Sequence, residues 1–171
     1  MEIEDVIALH GDYLLKVAYL YVKNEATAED IVQDVFIAFY QKKGQFKQES
    51  SLRTYLVKMT VNRSHDYLRS WKSKRLTLFE KITGKTTYLT PEKEVLIKSS
   101  KRELVEALFT LAVQYREVLI LFYFEDMSTV EIAKFVICPE ATVRTRLQRA
   151  RKQLALTIGD YDWEVLRHDS I

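Results

Sequence analysis

The stretch ATVRTRLQRARKQL, residues 141–154, concentrates side chains that could bind a polyanion. Five of its fourteen residues are Lys or Arg. Guanidinium groups bind phosphate and match the edge of guanine, and a glutamine amide matches adenine. The chemistry that these residue types predict is recognition of nucleic acid. The side chains suited to base edges are Arg144, Thr145, Gln148 and Arg149, and those suited to phosphates are Arg146, Arg151 and Lys152.

Apolar residues in the same stretch must hold these cations in place. Val143, Leu147, Ala150 and Leu154 recur at i, i+4, i+7 and i+11, which puts them on one narrow stripe of an α-helix. Such a helix docks along one face and offers the other to a partner. An amphipathic basic helix on a membrane or on another protein has the same pattern, so the preceding residues decide between these interpretations.

Those residues predict a helix-turn-helix. Ser128 and Glu131 form an S-x-x-E capping box that opens a short helix. The segment ICPE, residues 137–140, then makes a four-residue break before the basic helix. A short helix, a tight turn and a basic helix are the layout in which the second helix enters the major groove. A membrane-surface helix explains neither the capped helix nor the turn.

Charge and composition favour a helical protein with two contacts to nucleic acid. Residues 44–90 carry ten Lys or Arg against three Asp or Glu, and residues 140–156 carry five against one. Four glycines and two prolines are too few for the turns of an all-β fold. The longest apolar run, residues 118–124, is too short to span a bilayer. Cys138 is the only cysteine, and the acidic start has no signal-peptide pattern, so we expect a cytoplasmic protein without membrane insertion.

The periodicity of apolar residues predicts three helices before the middle of the chain. The first spans residues 3–22. Thr27, with Asp30 three residues on, is the expected N-cap of the second helix, which runs to about Lys43 before Gly44. The third follows Ser50 or Ser51 and ends near Trp71. These three helices should form one compact unit.

The second half is expected to form a separate helical unit. Periodicity fades between Lys72 and Thr90, where Lys, Ser and Thr accumulate, so we predict a flexible linker there. Thr90-Pro91 has the pattern of an N-cap followed by proline at the first helical position. Two further helices are expected at about 92–111 and 114–125. The fold class is therefore all-α, with two small helical domains joined by a flexible linker.

Three segments resemble the extracytoplasmic-function (ECF) sigma factors of bacterial RNA polymerase. AEDIVQDVFIAFYQ (28–41) is similar to the family's region 2.2, and SLRTYLVKMTVNRSHDYLRS (51–70) is similar to regions 2.3 and 2.4. The segment 115–154 is similar to region 4. The resemblance implies region 2 at 1–72, a linker at 73–91 and region 4 at 92–156. The tail at 157–171 is acidic and lies beyond the matched region.

The resemblance also implies partners and roles for particular residues. Region 2.2 binds the clamp helices of the polymerase β′ subunit, and the matching positions are Asp30, Gln33, Asp34 and Phe36. Regions 2.3 and 2.4 open the promoter minus 10 element, with Asn62 at the pocket for an extruded base. The other residues implied at the minus 10 strand are Phe46, Lys58, Arg63 and Arg69. Region 4 implies contacts to the minus 35 duplex and to the polymerase β flap.

One departure from the family concerns the turn before the basic helix. Where the family often has glycine, this chain has Ile137. A β-branched residue at positive φ costs about 1 to 2 kcal/mol. We therefore expect Ile137 to have a negative φ, or the turn to be slightly altered.

Two other functions fit parts of the sequence. A stand-alone helix-turn-helix regulator explains residues 115–154 but leaves the first basic zone and DIVQDVF without a role. A nuclease is disfavoured because no metal-ligand spacing accompanies the pair His65-Asp66, and His10 and His168 are far from it in sequence. We expect no catalytic residues, metal or cofactor. The resemblance implies core polymerase, promoter DNA and an anti-sigma factor as partners.

Overall fold

The computed structural model describes residues 2–42, 50–79 and 99–159, with side chains described outside 72–79 and 99–101. Within these residues the regular secondary structure is helical, which confirms the predicted fold class. The chain divides into two compact units, Met1–Leu96 and Ile97–Ile171. Several predictions lie outside the described residues, namely those for Gly44, Phe46, Thr90-Pro91 and the acidic tail.

The first unit contains α1 (Ile3–Val22), α2 (Glu25–Gln41) and α3 (Leu52–Phe79). Each of these helices packs against the other two. Their apolar faces meet in a core that excludes water, which is the main source of stability for such a unit. Among the residues of this core are Leu14 and Ala18 of α1, Val35 and Phe39 of α2, and Leu56 and Val57 of α3.

Two predictions about helix ends in the first unit are wrong. The N-cap of α2 is Asn24, whose Oδ1 accepts a hydrogen bond from the Thr27 amide at 2.8 Å. Both Asn and Thr are common N-cap residues, and Asn is the more strongly preferred. Asn24 also comes before Thr27 in the chain, so α2 begins there and Thr27 lies within its first turn. Helix α3 does not end near Trp71 but continues to Phe79. Residues 72–79 lack apolar periodicity but are rich in Lys, Arg and Leu, which favour helix regardless of period.

The third helix begins as one of the two alternatives predicts. Ser51 is its N-cap, and its Oγ accepts a hydrogen bond from the Thr54 amide at 3.1 Å. Gly11 does not interrupt α1, which is helical from end to end.

The second unit contains α4 (Ser99–Thr110), α5 (Val113–Leu119), a π-helical turn (Ile120–Phe124), α6 (Thr129–Val136) and α7 (Glu140–Ile158). Helix α7 packs against α4, α5 and α6, so it is held from several sides. The π turn is closed by the Glu125 amide, which donates to the Ile120 carbonyl at 3.2 Å. The sequence predicts a single helix at about 114–125, because the spacing of the apolar residues there does not distinguish a π turn from an α-helix.

The helix-turn-helix is confirmed, with two differences in its turn. The capping box of α6 is present, with Ser128 and Glu131 each bonded to the other's backbone amide. The break is Ile137–Pro139, because Glu140 already belongs to α7. The prediction of a negative φ at Ile137 is wrong: φ is 55° and ψ is 59°. The left-handed conformation lets the amides of Ile137 and Cys138 both donate to the Ala133 carbonyl, which closes the end of α6.

Candidate functional site

The apolar stripe of α7 anchors the basic helix as predicted. Val143, Leu147, Ala150 and Leu154 are all buried, with no more than 2% of any of them exposed. Their burial fixes which side of the helix is available to a partner. The exposed side chains on the remaining surface include Arg144, Thr145, Gln148, Arg149 and Lys152, and Arg146 is half-buried.

The N-terminal end of α7 is tied to α6 through Glu140. Its Oε1 accepts a hydrogen bond from the Thr129 hydroxyl at 2.6 Å and from Arg144 Nη2 at 2.7 Å. These hydrogen bonds, first from Thr129 and then from Arg144, stabilise the carboxylate and lower the pKa of Glu140. The same contact holds the Arg144 guanidinium beside the first turn of α7. Arg144 is therefore oriented before any partner arrives.

Arg151 makes contacts within its own unit. Its Nε donates to the hydroxyl of Tyr123 at 2.9 Å, and its guanidinium lies 5.3 Å from the Phe122 ring centroid and 5.5 Å from that of Tyr123. The sequence grouped Arg151 with the cations suited to phosphate. In the structure its guanidinium is engaged with the π turn.

A cleft beside the exposed face of α7 contains residues that sequence reasoning missed. Gln114 and Tyr115 of α5 line it together with Arg146 and Arg149 of α7, around a volume of about 300 Å³. Neither arginine has a hydrogen bond or ion pair to another described residue. Because Gln114 and Tyr115 are uncharged and about thirty residues away along the chain, no sequence signal marks them. The cleft therefore places the guanidinium groups of Arg146 and Arg149 next to the neutral polar side chains of Gln114 and Tyr115.

In the first unit, α3 presents a polar face at which several predicted residues are exposed. Asn62, Arg63 and Arg69 are exposed, whereas Lys58 is half-buried. Arg69 is ion-paired with Asp66 on the same face. Residues 62, 66 and 69 recur every three to four positions and share one side of α3, and Arg63 lies at the edge of that side. Phe46, predicted beside Asn62, lies outside the described residues.

The predicted polymerase-binding residues of α2 do not all have the same exposure. Asp30, Gln33 and Asp34 are exposed, but Phe36 is only 7% exposed. The ring of Phe36 is therefore mostly used in the unit's own core, and its role as an apolar anchor for a partner stays a prediction. Periodicity alone does not show whether an apolar residue next to the stripe faces inward.

Asp30, Gln33 and Phe36 line a groove of about 710 Å³ between α1 and α2. Its exposed apolar residues are Ile7, Ile37 and Tyr40, and Tyr40 is 61% exposed. Acidic side chains at its edge include Asp12 and Glu29. Sequence reasoning found the acids of α2 but missed the exposed apolar residues beside them.

The described part of the chain contains neither a metal-binding cluster nor a helix that could span a membrane. No group of three or more His, Cys, Asp and Glu residues there could hold a metal ion. None of the helices described is long and apolar enough to cross a membrane. His65, considered for a nuclease, stacks edge-to-face on the buried Tyr21 at 5.5 Å between ring centroids.

Comparisons with known proteins agree across both units. The family model described as Sigma-70 region 2 matches residues 6–74, and the one described as Sigma-70, region 4 matches residues 101–154. The chain is 31% identical over 153 residues to the RNA polymerase sigma factor SigV of Bacillus subtilis, covering 90% of this chain and 89% of SigV. It is 30% identical over 136 residues to the ECF RNA polymerase sigma-E factor of Haemophilus influenzae, and this match covers 73% of this chain and 71% of the sigma-E factor.

A solved structure has the same fold. It is that of the sigma factor RpoE from Bartonella quintana in complex with the anti-sigma factor NepR. The TM-score is 0.70 at 21% sequence identity, over 91% of this chain and 95% of RpoE.

Proposed function

The chain belongs to the ECF class of RNA polymerase sigma factors, and we propose that it brings core polymerase to promoters through one contact in each unit. The observation that carries this proposal is the arrangement of α7, whose apolar stripe is buried and whose Arg, Thr and Gln side chains are exposed. A recognition helix needs a buried apolar side, which holds it on its own domain, and an exposed polar side, which enters the major groove.

At the minus 35 element, the exposed face of α7 enters the major groove. Arg144, Thr145, Gln148 and Arg149 contact base edges, and Arg146 and Lys152 contact phosphates. Arg146 and Arg149 line the cleft with Gln114 and have no hydrogen bond or ion pair to another described residue, which supports their availability to DNA. Phosphate contacts supply affinity, and base contacts supply the choice of sequence. Arg151 is left out of this set because of its contacts with the π turn.

At the minus 10 element, the polar face of α3 follows the separated non-template strand. Asn62 reads the edge of an extruded base, because an amide both donates and accepts hydrogen bonds. Arg63 and Arg69 follow the backbone, with Lys58 and Phe46 beside them. The exposure of Asn62, Arg63 and Arg69 on one side of α3 supports this assignment.

Core polymerase binds the acidic side of α2. Asp30, Gln33 and Asp34 meet basic side chains of the β′ clamp helices, and the apolar groove between α1 and α2 lies next to them. The exposed carboxylates of α2 support this assignment, since charge complementarity steers association and sets orientation. The second unit contacts the β flap. The chain then acts in the cytoplasm, where its polymerase is.

An anti-sigma factor is the proposed regulator. The family resemblance implies such a partner, and the related RpoE of Bartonella quintana has been solved with its anti-sigma factor NepR. The alternative of a stand-alone regulator has less support, because the region 2 match covers residues 6–74, which that function leaves without a role.

Run-off transcription with purified core polymerase on a promoter library tests the proposal. We expect transcripts that depend on the added protein and begin downstream of a shared pair of sequence elements. Core polymerase alone is the control for unspecific initiation. Transcripts no more abundant than with core alone would contradict the proposed function.

A further inference from the structure

The basic side chains of α7 have different surroundings. Arg146, Arg149 and Lys152 have no hydrogen bond or ion pair to any described residue. Arg144 is ion-paired with Glu140 within its own helix. Arg151 alone among them reaches another element, where its Nε donates to the Tyr123 hydroxyl at 2.9 Å. In the sequence these residues form one basic cluster, but in the structure the contacts of Arg151 differ from those of the others.

The Tyr123 hydroxyl accepts this hydrogen bond in a buried position. Tyr123 is only 4% exposed, and a buried tyrosine hydroxyl needs a hydrogen-bond partner. Its ring lies edge-to-face against Phe122 at 5.0 Å between centroids, and the Arg151 guanidinium contacts both rings. The planar guanidinium is thus held by one hydrogen bond and two aromatic rings.

The π turn presents these two rings to α7. A π turn contains one residue more than an α turn, so the side chains beyond it are rotated from where a continuous α-helix would carry them. Both Phe122 and Tyr123 lie within this turn, Ile120–Phe124. Such turns recur at functional positions in helices. Here the turn supplies the surface on which Arg151 rests.

We propose that Arg151 is a positioning residue, which sets the tilt and rotation of α7 through Tyr123 and does not itself bind DNA. The proposal rests on the proposed function of α7 as the minus 35 recognition helix. Arg144 is seven residues from Arg151, or about 10 Å along the helix. Over that length a tilt of about 6° displaces a side chain by roughly 1 Å, enough to break a base-edge hydrogen bond.

The test measures binding of the holoenzyme to a promoter and to the same promoter with its minus 35 element scrambled, over a range of salt concentrations. Tyr123→Phe removes only the hydroxyl, and Arg151→Lys keeps the positive charge but removes Nε and the planar group. We expect each to lower the affinity ratio of intact to scrambled promoter by about threefold or more. The double variant should lose no more than either single variant, because both act through one contact.

Lys152→Ala is the matched control for a phosphate contact, since Lys152 is an exposed neighbour of Arg151. It should weaken both promoters equally and reduce the salt slope by about 1. Arg151→Ala should leave the salt slope unchanged. Unfolding of the second unit would also lower this ratio, because binding through the first unit alone does not distinguish the two promoters. Denaturant unfolding of each variant is therefore measured as well, and the ratio should fall for variants that remain folded under the binding conditions.

The proposal is overturned if Arg151→Ala behaves as Lys152→Ala does while Tyr123→Phe and Arg151→Lys leave the promoter ratio unchanged. Failure of the proposed function looks different. In that case the wild-type holoenzyme itself does not distinguish the intact from the scrambled minus 35 element, and the premise of this proposal falls with it.

Discussion

Ile137 has a backbone conformation that its side chain does not favour. It has a φ of 55° and is 87% exposed, so its side chain contributes almost no burial in return. The left-handed conformation costs a β-branched residue about 1 to 2 kcal/mol. The hydrogen bonds that close α6 and begin the turn keep it there.

Replacing Ile137 should therefore stabilise the second unit. We expect Ile137→Gly to raise its free energy of unfolding by about 0.5 to 1 kcal/mol, since part of the relief is offset by the greater freedom of glycine in the unfolded chain. Denaturant unfolding followed by circular dichroism measures this. Val130→Gly is the control: Val130 is exposed but lies in regular helix, so that change should destabilise. A loss of stability in Ile137→Gly would contradict this account of the strain.

We expect Arg149 to set the preference for one base of the minus 35 element, and not the overall affinity for DNA. Its side chain is exposed on α7 and forms no hydrogen bond or ion pair with another described residue. Arg149→Ala should cost about 1 to 3 kcal/mol against the preferred base at one minus 35 position, and little where that base is already substituted. Competition binding of the holoenzyme to single-base promoter variants gives this pattern. Equal weakening at every variant would instead assign Arg149 to phosphate.

At the scale of elements, Glu140 joins α6 to α7 by a pH-dependent contact. Hydrogen bonds from Thr129 and Arg144 lower the pKa of its carboxyl in the folded state. Its contribution to stability is therefore present above the pKa of an unfolded glutamate, about 4.3, and is lost as pH falls through the lower folded value. Acid should loosen the attachment of the recognition helix before it affects the apolar stripe.

A comparison of wild type with Glu140→Gln tests this contact. At neutral pH the variant should have the lower denaturant midpoint, because the amide bonds Arg144 less strongly than the carboxylate does. The difference should shrink as pH falls below the pKa of an unfolded glutamate, about 4.3, and disappear once pH is below the lower folded value. A difference that stays constant over this range would show that the charge of Glu140 does not contribute.

Helix positions could be predicted where a repeated pattern determines them. The stripe of Val143, Leu147, Ala150 and Leu154 was predicted because four apolar residues at helical spacing leave one docked side, and all four are buried. Helix ends depend instead on single hydrogen bonds, so Asn24 replaced Thr27 as the N-cap of α2. The positive φ of Ile137 was not predicted, because a β-branched residue disfavours that conformation whereas the turn between α6 and α7 requires it.

Much less of the candidate site could be predicted. The exposed face of α7 follows from the sequence, but the partners of its cations do not. Arg146, Arg149 and Arg151 are the same residue type within six positions, yet the first two line an open cleft and the third rests on Tyr123. That distinction arises from the π turn, which lies within a continuous apolar run and leaves no periodic signal. Tertiary contacts therefore decide which arginines are available to DNA.

At the scale of the whole molecule, the DNA contact proposed for each of the two units should bind promoter DNA more tightly because both units belong to one chain. Each contact is weak alone, and joining them turns the second binding event into an intramolecular one with a high effective concentration. In the proposed function, core polymerase adds a third contact through α2. Loss of any one contact should therefore lower promoter binding without abolishing the others.

The contact with core polymerase can be tested apart from DNA. Asp34 is exposed on α2 and belongs to the acidic face proposed for the β′ clamp helices. Asp34→Lys should weaken binding to core polymerase by about tenfold or more, because a positive charge would then face basic partner side chains. The circular dichroism spectrum should not change, since Asp34 is not part of the core. Equilibrium binding to purified core enzyme measures the loss.

Asp5→Lys makes the same change of charge at a different place on the first unit. Asp5 is also exposed, on α1, and does not line the groove between α1 and α2. If net charge alone governed association, both variants would weaken binding equally, and the loss would vanish in high salt for both. If α2 is the interface, only Asp34→Lys should show the large loss, and it should persist at salt concentrations that screen distant charges.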